Sequence, residues 1–371
     1  MDITTYSTWL EIDLGAIKHN VKEIIKMTNA EVMAVIKANG YGHGVLQVAK
    51  AVVQAGATWC GVARMEEALN LRRAGIDAQV MVLGYTPAGL IPDAIKNDIH
   101  VAIYDTEMAR LYADQARKVS GKLKAHLKVE TGMGRLGMPL EQAIKFLAQV
   151  HNHDAIHIDG IFTHLARADE PRVKSAAQQL GKFKLLLDQL RDRDLCPDMV
   201  HAANSAAVIN FPEAYFDLVR PGIAIYGLDP SQETRLPETF KPALTWKAKI
   251  ISVRGFPPGH GISYGSVYVT SKQERIGVIP VGYGDGYRRE TGQQVLVRGQ
   301  LVDVVGRICM DQCMIQLDSV PDAVVGDEVV LLGQQGEHTI TANDLATGWG
   351  TINYEVICGL ADRLPRLYKR S

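Results

Sequence analysis

Val32-Met-Ala-Val-Ile-Lys-Ala-Asn-Gly-Tyr-Gly-His-Gly44 is the stretch on which the reading of the fold turns. Two valines and an isoleucine in a short apolar run read as a strand buried on both faces, as in a parallel sheet. The run stops at Lys37, and Asn39, Gly40, Gly42 and Gly44 then break regular structure. A lysine at the end of a buried strand has two readings. It snorkels to solvent, as most such lysines do. Alternatively, desolvation lowers its pKa and leaves a nucleophilic amine able to form a Schiff base with a carbonyl. The rest of the chain decides between them.

Downstream, apolar strand candidates recur at 58–63, 79–84, 100–104, 123–129, 157–164, 199–204 and 217–220. Between them the spacing predicts helices such as Val45–Ala55, Arg64–Ala74, Ala88–Lys96, Glu107–Val119, Leu140–Val150 and Arg172–Arg191. With 32–37, these make eight strands alternating with helices, the pattern of an α/β chain closing into a (β/α)8 TIM-type barrel. An open doubly wound sheet competes, but no G-x-G-x-x-G follows the first strand. Upstream, Thr8–Asp13 alternates like a half-buried strand and Leu14–Met27 carries helical spacing. Past about residue 240 short β-rich runs take over: Leu244–Val253, Arg275–Pro280, Gln294–Arg298, Gln300–Val305, Met314–Leu317 and Glu328–Leu332. Hardly a helix interrupts them before Ile340–Thr347. We therefore expect a barrel domain over 1–238 and a mainly β C-terminal domain over 239–371, linked by the polar segment Pro230–Lys241.

At 371 residues the chain exceeds one ordinary core, and 47% hydrophobic with 22% charged residues is a soluble globular composition. Forty basic residues balance 41 acidic ones, which argues against nucleic acid or an anionic membrane as partner. No apolar run approaches the roughly 20 residues of a membrane helix. Met1-Asp-Ile-Thr-Thr-Tyr6 lacks a basic segment followed by an apolar one, so a secretory signal is not expected. Of the five cysteines, Cys309 and Cys313 form a lone C-x3-C with no second pair, which argues against a metal site and fits a reducing, cytoplasmic setting.

Reactive groups of a parallel barrel sit where its strands end. The ends of the proposed strands carry Lys37, Lys128 with Arg135, His164, His201 with Asn204 and Ser205, and Arg220 before Gly222. Each has an ordinary explanation taken singly; their placement on one rim is harder to dismiss. Ser205, where a helix begins, and the amides of Gly222 and Ile223 read as an anion cradle in the last two loops. A Schiff-base lysine with a phosphate cradle points to pyridoxal 5'-phosphate (PLP), with Arg220 beside the pyridine nitrogen. An arginine there keeps its proton, which weakens the electron sink and favours quick proton exchange at Cα. His126, Lys128 and Glu130 share an inward strand face. Lys128 and Arg135 repel unless a carbamate on the lysine, a chloride, a substrate carboxylate or a pairing carboxylate such as Glu130 relieves them. Three stretches stand out in the β-domain: Gly261-Ile-Ser-Tyr-Gly-Ser266, Val281-Gly-Tyr-Gly-Asp-Gly-Tyr287 and Gly306-Arg-Ile-Cys-Met-Asp311. Tyrosines at glycine-rich tips either pack turns or bind, and Tyr354 is a further exposed aromatic candidate.

Assembled, these segments resemble the alanine racemase family nearly end to end. Ala34-Val-Ile-Lys-Ala-Asn-Gly-Tyr-Gly-His43 is similar to the family's PLP-lysine motif, which implies that Lys37 is the Schiff-base residue. His126-Leu-Lys-Val-Glu-Thr-Gly-Met-Gly-Arg135 resembles the segment in which a carbamylated lysine, here Lys128, orients the arginine for the substrate carboxylate, here Arg135. His201-Ala-Ala-Asn-Ser205 and Arg220-Pro-Gly-Ile223 match the phosphate and pyridine contacts, with Tyr41 and Tyr354 implied as further phosphate partners. Ser263-Tyr264-Gly265 matches the second base, and Cys309-Met310-Asp311 the segment whose Met310 amide meets substrate. Tyr283, Ala168, Asp169, Arg288 and Arg307 match positions narrowing the entrance. Glu130 stands where aspartate is common, and the Gly-Tyr-Gly-Asp-Gly loop has glycine at its third place where alanine is frequent.

The resemblance implies a homodimer with shared active sites, in which the β-domain of one subunit caps the barrel of the other. It implies two-base racemisation of L- and D-alanine for peptidoglycan synthesis, with Lys37 serving the D-enantiomer and Tyr264 the L-enantiomer. His164, linked to Arg220, is expected to lend Tyr264 positive charge. A serine or broader racemase, a PLP decarboxylase of the same fold, a PLP carrier and a cofactor-free Schiff-base aldolase are the competing readings.

Overall fold

A computed structural model describes residues 5–369, so the part of the N-terminal reading that falls on Met1–Thr4 lies outside the described residues. The parallel strands are β1 (Glu31–Val35), β2 (Trp59–Val62), β3 (Gln79–Val82), β4 (Ile99–Ile103), β5 (Leu123–Glu130), β6 (Ile156–Phe162), β7 (Met199–His201) and β8 (Leu218–Val219). They pair in the order β8-β1-β2-β3-β4-β5-β6-β7. The two ends of that run meet: Asp217 N–H donates to Val200 O at 3.1 Å and Arg220 N–H to Ala203 O at 2.8 Å. The sheet thus curls into the expected barrel, with helices between the strands as the alternating pattern requires.

Inside it, β1, β2, β3, β4, β6 and β8 contribute Met33, Trp59, Met81, Ala102, Phe162 and Leu218 to one buried cluster. The remaining two strands place histidines against that cluster. His126 of β5 meets the Trp59 ring edge-on at 5.4 Å, and His201 of β7 stacks on Phe162 at 4.7 Å.

The chain divides into two compact units, and the division is not a single cut in sequence. The barrel unit comprises Ala16–Gly40 and Val45–Pro242; the second unit takes the described residues up to Gly15, Tyr41–Gly44 and the chain from Ala243 onward. Thr8–Asp13 explains the first difference from a barrel domain over 1–238. Trp9, Leu10 and Ile12 are buried in a β-sheet, antiparallel to Leu244–Lys249 and parallel to Arg366–Lys369. A strand is placed by whichever edge satisfies its backbone, and here that edge comes from the far end of the chain. The run Leu244–Val253 resolves into two strands, Leu244–Lys249 and Ser252–Phe256. Tyr354 lies half-buried on a short helix, Asn353–Cys358, rather than exposed. Among the described residues, no helix is long and apolar enough to cross a membrane.

Candidate functional site

Strand β1 ends at Val35 and burial continues only to Ile36; Lys37 is exposed, so the strand does not bury its amine. Beyond Lys37 the chain makes a left-handed turn: Ala38, Asn39 and Gly40 have φ of 53°, 54° and 63°. Each non-glycine residue in that region costs about 1–2 kcal/mol, and such strain persists only where surroundings over-determine it.

At the other end of the barrel run, Arg220 is buried, with three of its five N–H donors engaged. It donates through Nη1 to His201 Nδ1 at 2.9 Å and through Nη2 to the carbonyls of Thr163 at 2.8 Å and Ala202 at 3.1 Å. His201 Nε2 lies 2.8 Å from His126 Nδ1. Because a guanidinium only donates, His201 Nδ1 must accept, which puts the shared proton on Nε2 and directs it at His126. Both imidazoles are held well below their usual pKa, by burial first and then by charged or imidazole neighbours. Burial lowers Arg220 to about 9, so it remains charged at neutral pH. Its guanidinium lies 5.3 Å from the Phe162 ring centroid, and Lys128 Nζ lies 5.7 Å from the same ring. The two cations therefore share one quadrupole.

Lys128 is buried, and burial, then Arg135 and Arg220, push its amine down to about 8. Among the described residues it forms no ion pair, and neither does Arg135. Glu130 pairs with neither: its carboxylate accepts the backbone N–H groups of Gly132, Met133 and Gly134, and its charge raises the Lys128 amine by less than burial, Arg135 and Arg220 lower it. His164 sits among the cations: burial, then Arg220, Arg135, Lys128 and Lys37, lower it to about 3. The expected link from Arg220 to His164 is thus replaced by one to His201, and His164 is neutral rather than a source of charge. His100 is likewise pushed down to about 4, chiefly by burial.

Four histidines, His100, His126, His164 and His201, are neutral in the folded chain and ordinary once unfolded. In the window below the unfolded value near 6.5 the unfolded chain binds more protons, so stability is full above that pH and falls as pH drops toward 4. We expect thermal denaturation to show Tm falling steeply between pH 6.5 and 4, and His100→Gln to flatten that dependence. An equally steep acid limb in the variant would show that His100 does not contribute.

Ser205 is not the cap of its helix. Asn204 caps Ser205–Asn210, its Oδ1 accepting Ala207 N–H at 3.0 Å. This frees the Ser205 hydroxyl for the next loop, where its oxygen accepts N–H from Gly222 at 2.8 Å and Ala224 at 3.3 Å. Its own proton has no acceptor among the described residues. The barrel unit thus brings together Lys37, Lys128, Arg135, His164, His201, Asn204, Ser205, Arg220, Gly222 and Ile223.

The β unit gathers the three glycine-rich stretches. Ser263 Oγ donates to Arg307 O at 2.6 Å, Tyr283 N–H to Cys309 O at 3.1 Å, and Gly284 N–H to Met310 O at 2.8 Å. Arg363 ties the last two together by donating to Asp285 at 2.7 Å and Asp311 at 2.8 Å. Gly282 is required there, since a Cβ would overlap the carbonyls of Cys309 and Met310. Tyr264, Met310 and Tyr283 remain 69%, 54% and 46% exposed. In the same unit the rings of Tyr41 and Tyr354 lie 6.2 Å apart, and burial, then Tyr354, keeps Tyr41 a neutral phenol. Arg288 pairs with Glu355.

Sequence reasoning did not find the Arg220–His201–His126 chain or the Phe162 ring shared by two cations. The inward alternation of His126 and Lys128 was the available signal, but the partners lie on strands far apart in sequence.

The fold and site define a barrel enzyme with a cluster of lysine and arginine cations where its strands end. The family described as the alanine racemase N-terminal domain matches residues 12–230, and that of the alanine racemase C-terminal domain matches residues 243–368. The alanine racemase of Symbiobacterium thermophilum is 42% identical over 97% of both chains, and that of Halothermothrix orenii 44% identical over 98% of this chain and 97% of its own. Among solved structures, the alanine racemase of Bacillus anthracis with bound L-Ala-P superposes with a TM-score of 0.93 at 39% identity, covering 98% of this chain and 95% of that one. That of E. faecalis gives 0.94 at 38%, covering 98% and 99%. This chain belongs to the alanine racemase family.

Proposed function

We propose that this protein interconverts L- and D-alanine with PLP held at Lys37, in the cytoplasm, supplying D-alanine for peptidoglycan. The observation that carries the reading is the surplus of positive charge around His164. Lys37, Lys128, Arg135 and Arg220 all depress it, and no carboxylate pairs with the last three among the described residues. An anionic cofactor and a substrate carboxylate complement such a site.

The residues fit PLP. Lys37 offers the amine, the uncommitted Ser205 proton suits a phosphate oxygen, and Ile223 follows Gly222, whose own N–H is already given to the Ser205 oxygen rather than left for the anion. Tyr41 and Tyr354 are the further phosphate hydroxyls that the family assigns. Arg220, even lowered to about 9, keeps its proton against a pyridine-type nitrogen. Bound here, PLP supplies an electron sink that acidifies the Cα–H of alanine. Arg135 binds the alanine carboxylate. Lys37 moves the Cα proton on one face and Tyr264 of a second copy moves it on the other, which inverts the centre. A phenol needs cationic surroundings to act as a base near neutrality. Arg135 and Arg220 supply them, in place of His164.

The second copy is supported by Tyr264, Val267, Val269, Tyr283 and Met310, large exposed apolar or aromatic side chains of the β unit. The test of the activity is incubation with each alanine enantiomer in D2O. Both should reach a 1:1 mixture carrying deuterium at Cα. Release of CO2 would instead show a decarboxylase, and no exchange would exclude both.

Mixing Lys37→Ala and Tyr264→Phe dimers tests the sharing of sites. After random exchange roughly a quarter of wild-type activity is expected, because half the dimers are mixed and each holds one intact site. If both bases of a site came from one subunit, mixing would restore nothing.

Lys128 at about 8 is partly neutral under physiological conditions, and a neutral amine adds to CO2, losing its proton to solvent as the carbamate forms. That negative charge, between Lys128 and Arg135, is the assignment we make. Lys128→Ala should lose about 10²-fold in kcat by releasing Arg135, and millimolar acetate should restore part of it. Absence of rescue, with Arg135 still ordered, would count against a carbamate.

A further inference from the structure

The left-handed turn behind Lys37 is held by a side chain from another loop. Glu67 Oε1 accepts the Ala38 N–H at 2.7 Å. Oε2 of the same carboxylate accepts the Ala63 N–H at 2.8 Å and the Arg64 N–H at 3.1 Å. Glu67 is the third residue of the helix Met65–Arg73, so the bond to Arg64 by itself is a capping-box contact. The other two bonds lie outside that motif: the one from Ala63 is local to the loop after β2, and the one from Ala38 joins the loop after β1 to it. That second loop is itself immobilised. Ile36 N–H donates to Gly61 O at 2.9 Å, Leu83 N–H donates to Val62 O at 2.8 Å, and Gly84 lies so close to the Ala63 carbonyl that a Cβ would stand 2.6 Å from it. At the far end of the turn, Asn39 Oδ1 accepts Val45 N–H at 2.9 Å.

We propose that Glu67 is a positioning residue for Lys37: its carboxylate staples the Ala38 amide to the second barrel loop and so holds the strained turn from which the Lys37 side chain departs. The inference rests on the reading of Lys37 as the PLP-bearing lysine. Ala38 adopts φ 53° and ψ 54°, a conformation that L side chains resist. With its acceptor gone, the Ala38 N–H loses its hydrogen bond to the second loop, and Lys37 shifts relative to the rim of β8. A shift of an ångström in a reacting group is felt in the chemical step more than in substrate binding.

Substitutions in the holoenzyme separate this role from helix capping. Glu67→Gln keeps one carbonyl oxygen, enough to cap the helix, but its amide nitrogen donates and cannot receive the second set of N–H groups. Glu67→Ala removes both, and Glu66→Gln alters the exposed neighbour. The readouts are PLP retained through gel filtration, kcat and KM for alanine in both directions, and Tm. In Glu67→Gln we expect kcat to fall about tenfold, KM to hold within about twofold, PLP retention to drop, and Tm to stay near wild type. Glu66→Gln should match wild type throughout. If Glu67→Ala does not fold, Glu67→Gln carries the test. Wild-type kcat and PLP retention in Glu67→Gln overturn the proposal, as does a loss of Tm alone. Borohydride fixation and peptide mapping of the wild type separate the two levels. Label on another lysine overturns the reading and the staple together, whereas label on Lys37 with undisturbed variants overturns the staple alone.

Discussion

With Lys37→Ala, racemisation is expected to fall by at least about four orders of magnitude in both directions, because a proton-transfer base and the covalent anchor for PLP are lost together. A positioned base alone contributes about 10²–10⁴. The fold should survive. Lys37 is exposed, and the buried part of β1 ends before it. Nor does Lys37 belong to the residues at positive φ that come after it. Tm and the circular dichroism spectrum should therefore match wild type, while borohydride no longer fixes PLP to the protein. Racemisation within tenfold of wild type would remove Lys37 from the mechanism.

Tyr264→Phe is the second large effect. Loss of one of two bases should lower racemisation by about 10²–10⁴, equally in both directions because the enantiomers are isoenergetic. Within one subunit the side chain is 69% exposed, so loss of the hydroxyl should leave the subunit's fold intact. The discriminating measurement is solvent exchange. With Lys37 intact, D-alanine should still wash deuterium into Cα in D2O and return as D-alanine, whereas L-alanine should exchange only at the residual rate. Full racemisation in both directions, or loss of exchange from both enantiomers alike, would refute the assignment of one base to each face.

The barrel was legible because its signal is local. Parallel strands buried on both faces read as apolar runs, and the intervening helices carry their own period, so Leu140–Val150 and all eight strands fall within a few residues of their places. The strand Thr8–Asp13 was legible as a strand, but its membership in the β unit was not. Its partners, Leu244–Lys249 and Arg366–Lys369, are chosen by edge complementarity across more than two hundred residues. Tyr354 was misplaced for a related reason: a six-residue helix is too short to show a period.

At the site, residue identity and order along the rim were readable, and hydrogen-bond partners were not. Sequence placed Lys37, His164, Ser205 and Arg220 at strand ends, because side-chain alternation and strand termini are properties of the local chain. Whether Arg220 turns to His164 or His201, and whether Glu130 pairs with a lysine or caps its own loop, depends on how the strands and their loops close in space. The sequence by itself determined a lysine at the end of a buried strand and a rim of cations at the strand ends, since composition and periodicity dictate these. Only the tertiary structure decided that Lys37 lies exposed just before a left-handed turn, that His164 is neutral among the cations, and that Glu67 reaches across to the Ala38 amide. Burial and mutual electrostatics exist only once the chain has closed.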